Sequence, residues 1–368
     1  MMPITKNRLG AALALSVSVT SGAALADESK VLNIYNWSDY IAPEAIEAFS
    51  EKTGIEVNYD VYDSNEVLEA KLMSGGTGYD VVVPAGAFLE RHVQADIYLE
   101  VDQSRLSNYD NLDKVLLEKV ARYDVGNKHS VPYAWGTIGL GYNVDQVRER
   151  LGDTPVDSLD LVFNPDVAAR LADCGIAMLD SPAEVVSMAL NYLGLDPNSE
   201  KKGDLKKAEA LLQGVRPHIK YFSSSKYISD LANGEICLAV GYNGDVLQAQ
   251  GRAEEAGQGV NVGFSIPSEG TLVWFDVMAI PADAPHPDAA HKFIDFVLQG
   301  DTAAGISNYV YYAVPNVAAM PLLDEEVSSN PGIYPSETVK AKLFTQNAHT
   351  RRFDRILNRS WSNIKTGR

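Results

Sequence analysis

Tyr79-Asp80-Val81-Val82-Val83-Pro84 is a continuous apolar run, typical of a strand in a sheet that is covered on both faces. Upstream, residues 31–35 predict a strand, and residues 55–62 alternate apolar and polar side chains as a second strand does. Two helical segments separate these strands: Pro43 opens a helix that Gly54 ends, and Asn65 can cap another that Gly75 stops. Strand and helix in alternation predict an α/β fold with a parallel sheet.

The same alternation restarts downstream, which predicts a second α/β unit inserted into the first. Strand-like runs begin near residues 137, 176, 236, 262 and 277, with helical segments between them. We assign residues 27–134 and 260–299 to one lobe, and residues 135–259 and 300–368 to the other. Ligands of open α/β sheets bind beyond the carboxyl ends of the strands, so two facing lobes predict a cleft that closes by a hinge.

Residues 1–26 have the organisation of a secretory signal peptide. Lys6 and Arg8 precede a short apolar run over residues 9–19, and Ala24-Leu25-Ala26 offers a cleavage site before Asp27. The alternative is an uncleaved anchor, but the run is shorter than the roughly 20 residues of a spanning helix. No cysteine follows that would support a lipoprotein anchor, and no later segment is long enough to enter the membrane. We expect an exported protein.

The chain carries a formal net charge of −18 over its 368 residues. A field of this sign repels nucleic acid and anionic lipid and attracts cations, although solubility alone would also explain it. The chain has two cysteines, Cys174 and Cys237, both beside strand-like runs. In an oxidising compartment they could pair, and two buried free thiols are the alternative.

Four acidic residues lie just past predicted strand ends, in a region rich in aromatic side chains: Asp39, Glu184, Asp245 and Asp276. Each alone could be a helix cap or a first-turn residue. Together they suit an alkyl diamine or a longer linear polyamine. Each ammonium that leaves water needs a carboxylate, and aromatic faces attract ammonium groups while covering the methylene spacer.

Seven motifs spread over nearly the whole chain resemble those of the periplasmic putrescine/spermidine-binding proteins of bacterial ABC importers. They span residues 36–41, 62–66, 79–84, 224–228, 241–245, 274–277 and 330–335. The resemblance implies a type II periplasmic-binding-protein fold, no enzymatic activity, no cofactor and a Cys174–Cys237 disulfide. It also implies a polyamine ligand and a membrane permease as partners, and we expect a monomer.

Carried over position by position, the family's ligand contacts fall on Trp37, Ser38, Asp39, Tyr40, Glu184, Tyr242, Asp245, Trp274, Asp276 and Tyr312. Ser224 is a further candidate. The resemblance pairs Asp39 with Asp276 at one amine and leaves Glu184 and Asp245 for the rest of the slot.

The chain departs from the family pattern in the loop after the apolar run and at one ring. Ala85 and Ala87 stand where serines are common, and Tyr242 stands where Trp is common. Trp274 is the larger of the two rings that relatives carry at its position, from which we hypothesise a preference for spermidine over putrescine.

Two other classes of protein compete with this interpretation. An enzyme is disfavoured because the six histidines show no nucleophile–base spacing and no phosphate-binding loop is present. A ferric-ion binder of the same fold is closer, because Tyr311-Tyr312 resembles the adjacent tyrosines of such proteins. A bare ion, however, has no use for several aromatic rings.

Overall fold

The computed structural model describes residues 30–367, so the predicted signal peptide lies outside the described residues. Within that range the chain forms nine strands: β1 (Val31–Trp37), β2 (Glu56–Tyr62), β3 (Val81–Val82), β4 (Ser130–Asn143), β5 (Ile176–Met178), β6 (Ile219–Phe222), β7 (Leu238–Tyr242), β8 (Val262–Ser265) and β9 (Val273–Ala279).

Helices pack around these strands. In chain order they are α1 (Pro43–Thr53), α2 (Asn65–Ser74), α3 (Gly86–Val93), α4 (Lys114–Val120), α5 (Val144–Leu151), α6 (Asp160–Phe163), α7 (Pro165–Leu171), α8 (Pro182–Tyr192), α9 (Lys202–Val215), α10 (Lys226–Ala232), α11 (Asn243–Ala256), α12 (Pro287–Val297), α13 (Gly300–Val310), α14 (Glu325–Ser328), α15 (Glu337–Lys340) and α16 (Arg351–Thr366). Among the described residues, none of these helices has the length and apolar character needed to cross a bilayer.

The strands form one sheet in the order β2-β1-β3-β9-β4-β7-β5-β6, with β8 also paired to β4. Parallel pairing joins β1 to β2 and β3, and β5 to β6 and β7. We call β2, β1, β3 and β9 the first flank and β7, β5 and β6 the second flank. The α/β prediction is confirmed, but the sheet is mixed rather than parallel, because β9 and β4 run antiparallel to their neighbours.

Strand β4 connects the two flanks. Its first half pairs with β9 and its second half pairs with β7 and β8. It is 14 residues long and buried almost throughout, whereas the sequence predicts a strand only from residue 137. Strand β3 differs in the other direction, since only Val81 and Val82 of the long apolar run have strand geometry.

The helix boundaries follow the local signals closely. Helix α1 starts at Pro43 and ends at Gly54, whose left-handed backbone (φ 71°) closes the last turn with a bond to the Ser50 carbonyl. The cap of α2 is Ser64 rather than Asn65, because the Ser64 side chain accepts from the Val67 amide. Asn65 instead accepts from the Ala85 amide at 3.1 Å and fixes the loop that follows β3.

Cys174 and Cys237 form a disulfide with a Cα–Cα distance of 5.4 Å, which confirms the pairing that the resemblance implies. The bond joins the turn between α7 and β5 to the residue before β7 and closes a loop with a sequence separation of 63. The disulfide therefore fixes the amino end of β7 within the second flank. Tyr242 lies at the other end of this strand, and Asp245 follows it in the first turn of α11.

Candidate functional site

A cavity lies beyond the carboxyl ends of β1, β3, β5 and β7, where side chains of the two flanks face each other. It encloses about 520 Å³ of space free of protein atoms, part of it open to solvent. Nine of the ten ligand contacts predicted from the sequence line it, and only Asp39 does not. The lining residues are Trp37, Ser38, Tyr40, Tyr62, Asp63, Asn65, Ala85, Glu184, Ser224, Ser225, Ile228, Tyr242, Asp245, Trp274, Asp276 and Tyr312.

Asp245 lies in the first turn of α11 and is 7% exposed. Its carboxylate accepts two hydrogen bonds, from the Tyr227 hydroxyl at 2.7 Å and from the Tyr312 hydroxyl at 2.6 Å. The Tyr227 hydroxyl also accepts from the Tyr242 amide at 3.0 Å, so it joins the end of β7 to the start of α11. Two donors on one carboxylate hold it in a fixed orientation beside the cavity.

Glu184 and Asp276 are held in the same way from the other elements. The Tyr242 hydroxyl donates to Glu184 Oε2 at 2.7 Å in the first turn of α8. The Tyr40 hydroxyl donates to Asp276 Oδ2 at 2.9 Å on β9. Glu184 is 8% exposed and Asp276 is 5% exposed, so these two acids and Asp245 are removed from bulk water, unlike Asp63, the exposed fourth acid of the lining.

Burial raises the pKa of each of the three buried acids. The pKa of Asp245 rises to about 6 because desolvation outweighs the two tyrosine hydrogen bonds that lower it. Desolvation also raises the pKa of Glu184, and it raises the pKa of Asp276 well above its ordinary value, with the Glu184 charge acting in the same direction. A cation entering the cavity would reverse these shifts, since a nearby positive charge favours the ionised carboxylate.

No lysine or arginine of the described chain neutralises these acids at close range. The ion pairs within residues 30–367 all involve other carboxylates. The partners of Asp245, Glu184 and Asp276 are neutral phenols, which stabilise a negative charge without cancelling it. Buried charges are normally paired, so the site is built to receive positive charge from outside the protein.

Aromatic rings form the walls between the acids. The Trp274 ring lies 5.2 Å from Tyr312, 6.1 Å from Tyr242 and 6.3 Å from Tyr40, measured between ring centroids. On the other side, Trp37 donates from Nε1 to the Val83 carbonyl at 2.9 Å, which fixes its ring at the end of β1. These rings can cover methylene groups and attract ammonium groups through their faces.

Glycines allow the rings to approach the backbone this closely. A Cβ at Gly136 of β4 would lie 2.5 Å from the Trp274 ring and 2.3 Å from Asn243 Oδ1, and one at Gly244 would lie 2.6 Å from the Tyr312 ring. A Cβ at Gly241 would lie 2.5 Å from the Tyr227 ring. The glycines around Asp245 therefore have a packing role, because they admit the two tyrosines that donate to it.

The structure places Asp39 outside the cavity. Its backbone is left-handed (φ 53°), and its carboxylate accepts from Arg252 Nη2 of α11 at 2.8 Å, with both side chains roughly two-fifths exposed. The Asp39 carbonyl also accepts from Gln248 at 3.3 Å. Asp39 thus connects the two flanks at the rim of the cavity, and the geometry does not bring it to the same point as Asp276.

Several residues of the site were not predicted. Tyr227 contacts Asp245 from α10 and is fully buried; it lies in the motif at residues 224–228, but it was not among the ligand contacts carried over from the family. Tyr62, Asp63 and Asn65 line the cavity from the end of β2 and the start of α2. Their position past a strand end is the signal that could have identified them. Ala85 also lines the cavity, so the loop without hydroxyl groups does face the site.

Tyr311 and Tyr312 diverge, which disfavours an ion site between them. The Tyr311 hydroxyl donates to Glu326, whereas that of Tyr312 donates to Asp245. In the described part of the chain, no group of three or more His, Cys, Asp or Glu side chains is arranged to hold a metal ion.

Comparison with known proteins decides the family. The profile of the bacterial extracellular solute-binding protein family matches residues 44–335. The chain belongs to this family. A member from Escherichia coli, the putrescine-binding periplasmic protein PotF, is 50% identical over 370 residues and covers 100% of both chains. The putrescine-binding periplasmic protein SpuD of Pseudomonas aeruginosa is 50% identical, with 97% of each chain covered.

A solved structure shows the fold of the extracellular solute-binding proteins directly. The putative spermidine/putrescine ABC transporter protein of Listeria monocytogenes superimposes with a TM-score of 0.82 at 32% identity. The match covers 92% of this chain and 100% of the other. The periplasmic-binding-protein fold predicted from the resemblance is confirmed.

Proposed function

We propose that this solute-binding protein captures a linear polyamine and presents it to the permease of an ABC importer. The observation that carries the proposal is the set of three buried carboxylates, each held by tyrosine hydroxyls and none paired with a cation of the described chain. Ammonium groups satisfy such carboxylates, and the surrounding rings suit the methylene groups between them.

The arrangement favours several positive charges on one chain over a single ion. Asp276 and Asp245 are linked through Tyr40 and Tyr312, whose rings contact each other at 5.1 Å between centroids. Trp274 packs against both rings. Carboxylates that are separated by aromatic surface match a ligand whose ammonium groups are separated by methylene groups. A metal ion is a single point of charge and does not match this arrangement. The names of the two relatives that are 50% identical support putrescine or a similar amine as the ligand.

Capture and delivery imply the rest of the proposal. The chain would be exported by residues 1–26 and act in the periplasm as a monomer without enzymatic activity. The two lobes, with boundaries near residues 134, 260 and 299, would close on the ligand by bending where β4 passes between the flanks. The periplasmic binding proteins among its relatives support this location and this role.

Calorimetric titration of the purified protein with four compounds tests the proposal. Putrescine and spermidine should bind, and comparing them tests the predicted preference for spermidine. Butylamine, which has one ammonium, should bind at least about a hundredfold more weakly than putrescine, since one buried carboxylate then keeps no partner. Butane-1,4-diol, which has the same length and no charge, should not bind. Equal binding of the diol and putrescine would refute the role of the carboxylates.

A further inference from the structure

The outer surfaces of α9 and α16 carry exposed cationic side chains on a protein whose formal net charge is −18. We call this surface the basic face. Its residues are Lys201, Lys202, Lys206, Arg351, Arg352, Arg355 and Arg359. Such a concentration of one sign on an oppositely charged protein marks a surface that can orient the molecule in an electric field.

The two helices lie side by side and run in the same direction, as hydrogen bonds between their two starts and between their two ends show. At the start, Glu200 accepts from the Thr350 amide at 2.7 Å and from its hydroxyl at 2.8 Å. At the end, Arg216 donates to the Lys365 carbonyl at 2.8 Å. The lysines at the start of α9 therefore lie beside the arginines at the start of α16. The four arginines fall within about 100° of the α16 circumference, given 3.6 residues per turn.

These cations are not held in ion pairs by their neighbours. None of the seven takes part in an ion pair within the described chain. The acidic residues of the two helices and of the segment just before α9 are Glu200, Asp204, Glu209 and Asp354. Glu200 is held by Thr350. Asp354 pairs with Arg91. Asp204 pairs with Lys207 and attracts Lys201 at longer range, so Lys201 is the member of the basic face with an acidic neighbour on its own helix.

The chemistry of the basic face favours a lipid surface over a protein partner. No large hydrophobic side chain of α9 or α16 is exposed, because their apolar sides are buried in the core. Protein interfaces usually contain a buried apolar or aromatic centre, whereas an anionic bilayer can bind cationic side chains without insertion. We propose that the basic face docks the protein on an anionic phospholipid membrane, which would hold it close to a membrane partner. This goes beyond ligand capture.

Vesicle sedimentation tests the proposal. The purified protein is mixed with vesicles of phosphatidylglycerol and phosphatidylcholine, or of phosphatidylcholine alone, at about 0.1 M ionic strength, where the Debye length of about 10 Å screens the distant acidic surface but not the basic face. We expect binding to the anionic vesicles only, and loss of it at about 1 M salt, where the Debye length is about 3 Å. Since each basic residue near an anionic surface contributes about fivefold in affinity, R352E/R355E should bind at least about thirtyfold more weakly.

The matched control is K114E/K119E, which reverses two exposed lysines of α4 and changes the net charge equally. It should bind vesicles within about threefold of the unmodified protein. Similar losses in both variants would show a bulk-charge effect and overturn the proposal, as would absence of binding by the unmodified protein at the lower ionic strength. Retention on polyglutamate-coated beads equal to that on vesicles would also overturn it, in favour of an acidic protein partner. Both variants should keep their thermal shift with putrescine, which shows that they fold.

Discussion

Replacing Asp245 by asparagine should abolish most of the ligand affinity while leaving the fold intact. Asp245 is buried, accepts from two tyrosines and has no cationic partner within ion-pair distance in residues 30–367, so a bound ammonium would be its main counter-charge. Removing one member of a buried ion pair costs about 3–5 kcal/mol, which corresponds to a loss of about 150-fold to 4,000-fold in affinity.

The control for this prediction is Asp63→Asn in the same cavity. Asp63 also lines the cavity but is exposed, so its charge is screened by water and its removal should cost no more than about 1 kcal/mol. Titration calorimetry with putrescine measures both affinities, and thermal unfolding without ligand verifies that both variants are folded. Equal, small losses in the two variants would refute the argument from burial.

Four further predictions follow from the same structure. Ligand binding near pH 6 should release protons, because a bound cation lowers the raised pKa values of the buried cavity acids. Affinity should fall below that pH, because the acids are then protonated before the ligand binds. A binding enthalpy that does not depend on the ionisation enthalpy of the buffer would contradict this. Gly136→Ala should displace Trp274 and the Asn243 side chain and weaken binding at least about tenfold. By contrast, Gly251→Ala on α11, with no atom within 4 Å of the new methyl group, should leave affinity unchanged and raise stability by up to about 1 kcal/mol. Asp39→Asn and Arg252→Ala should each change affinity less than about fivefold and act non-additively, because the exposed pair connects the flanks; a large loss in Asp39→Asn alone would return Asp39 to the ligand site. Replacing both disulfide cysteines by serine should lower the free energy of unfolding by about 4 kcal/mol, from the length of the closed loop, with affinity retained; chemical denaturation measures the first and calorimetry the second.

The sequence predicts the fold class well because its α/β alternation is strong, but it misjudges individual strands. Strand β4 contains Pro132 and three glycines, which normally argue against a buried strand. The structure accommodates Pro132 at an irregularity in the pairing with β9, between residues 132 and 134. The glycine at 136 is required by the ring that packs on it. Proline and glycine normally predict that a strand is interrupted. In β4 they are accommodated by tertiary packing, which no local sequence pattern shows.

The site residues that could be predicted from the sequence are those whose place in the site follows from their position just after a strand. Glu184 and Asp245 lie in the first turns of helices that follow strands, and such positions meet at the sheet edge. Asp39 occupies an equivalent position, but its left-handed backbone and a cation 213 residues away draw its carboxylate to the rim. Tyr227 was missed because its contact with Asp245 depends on how α10 packs beside α11. Side-chain direction and long-range partners are set by tertiary structure.

The contact between Gly136 and Trp274 constrains how the cavity can change during evolution. A smaller ring at position 274 creates no clash, so this position can vary first. Position 136 can accept a larger residue only after the ring has shrunk and the Asn243 side chain has moved, because a Cβ there would lie 2.5 Å from the indole and 2.3 Å from Asn243 Oδ1, which accepts from the Thr137 amide. A larger side chain at 136 therefore requires changes at both 243 and 274, and a chain that has acquired it cannot regain the tryptophan in a single step.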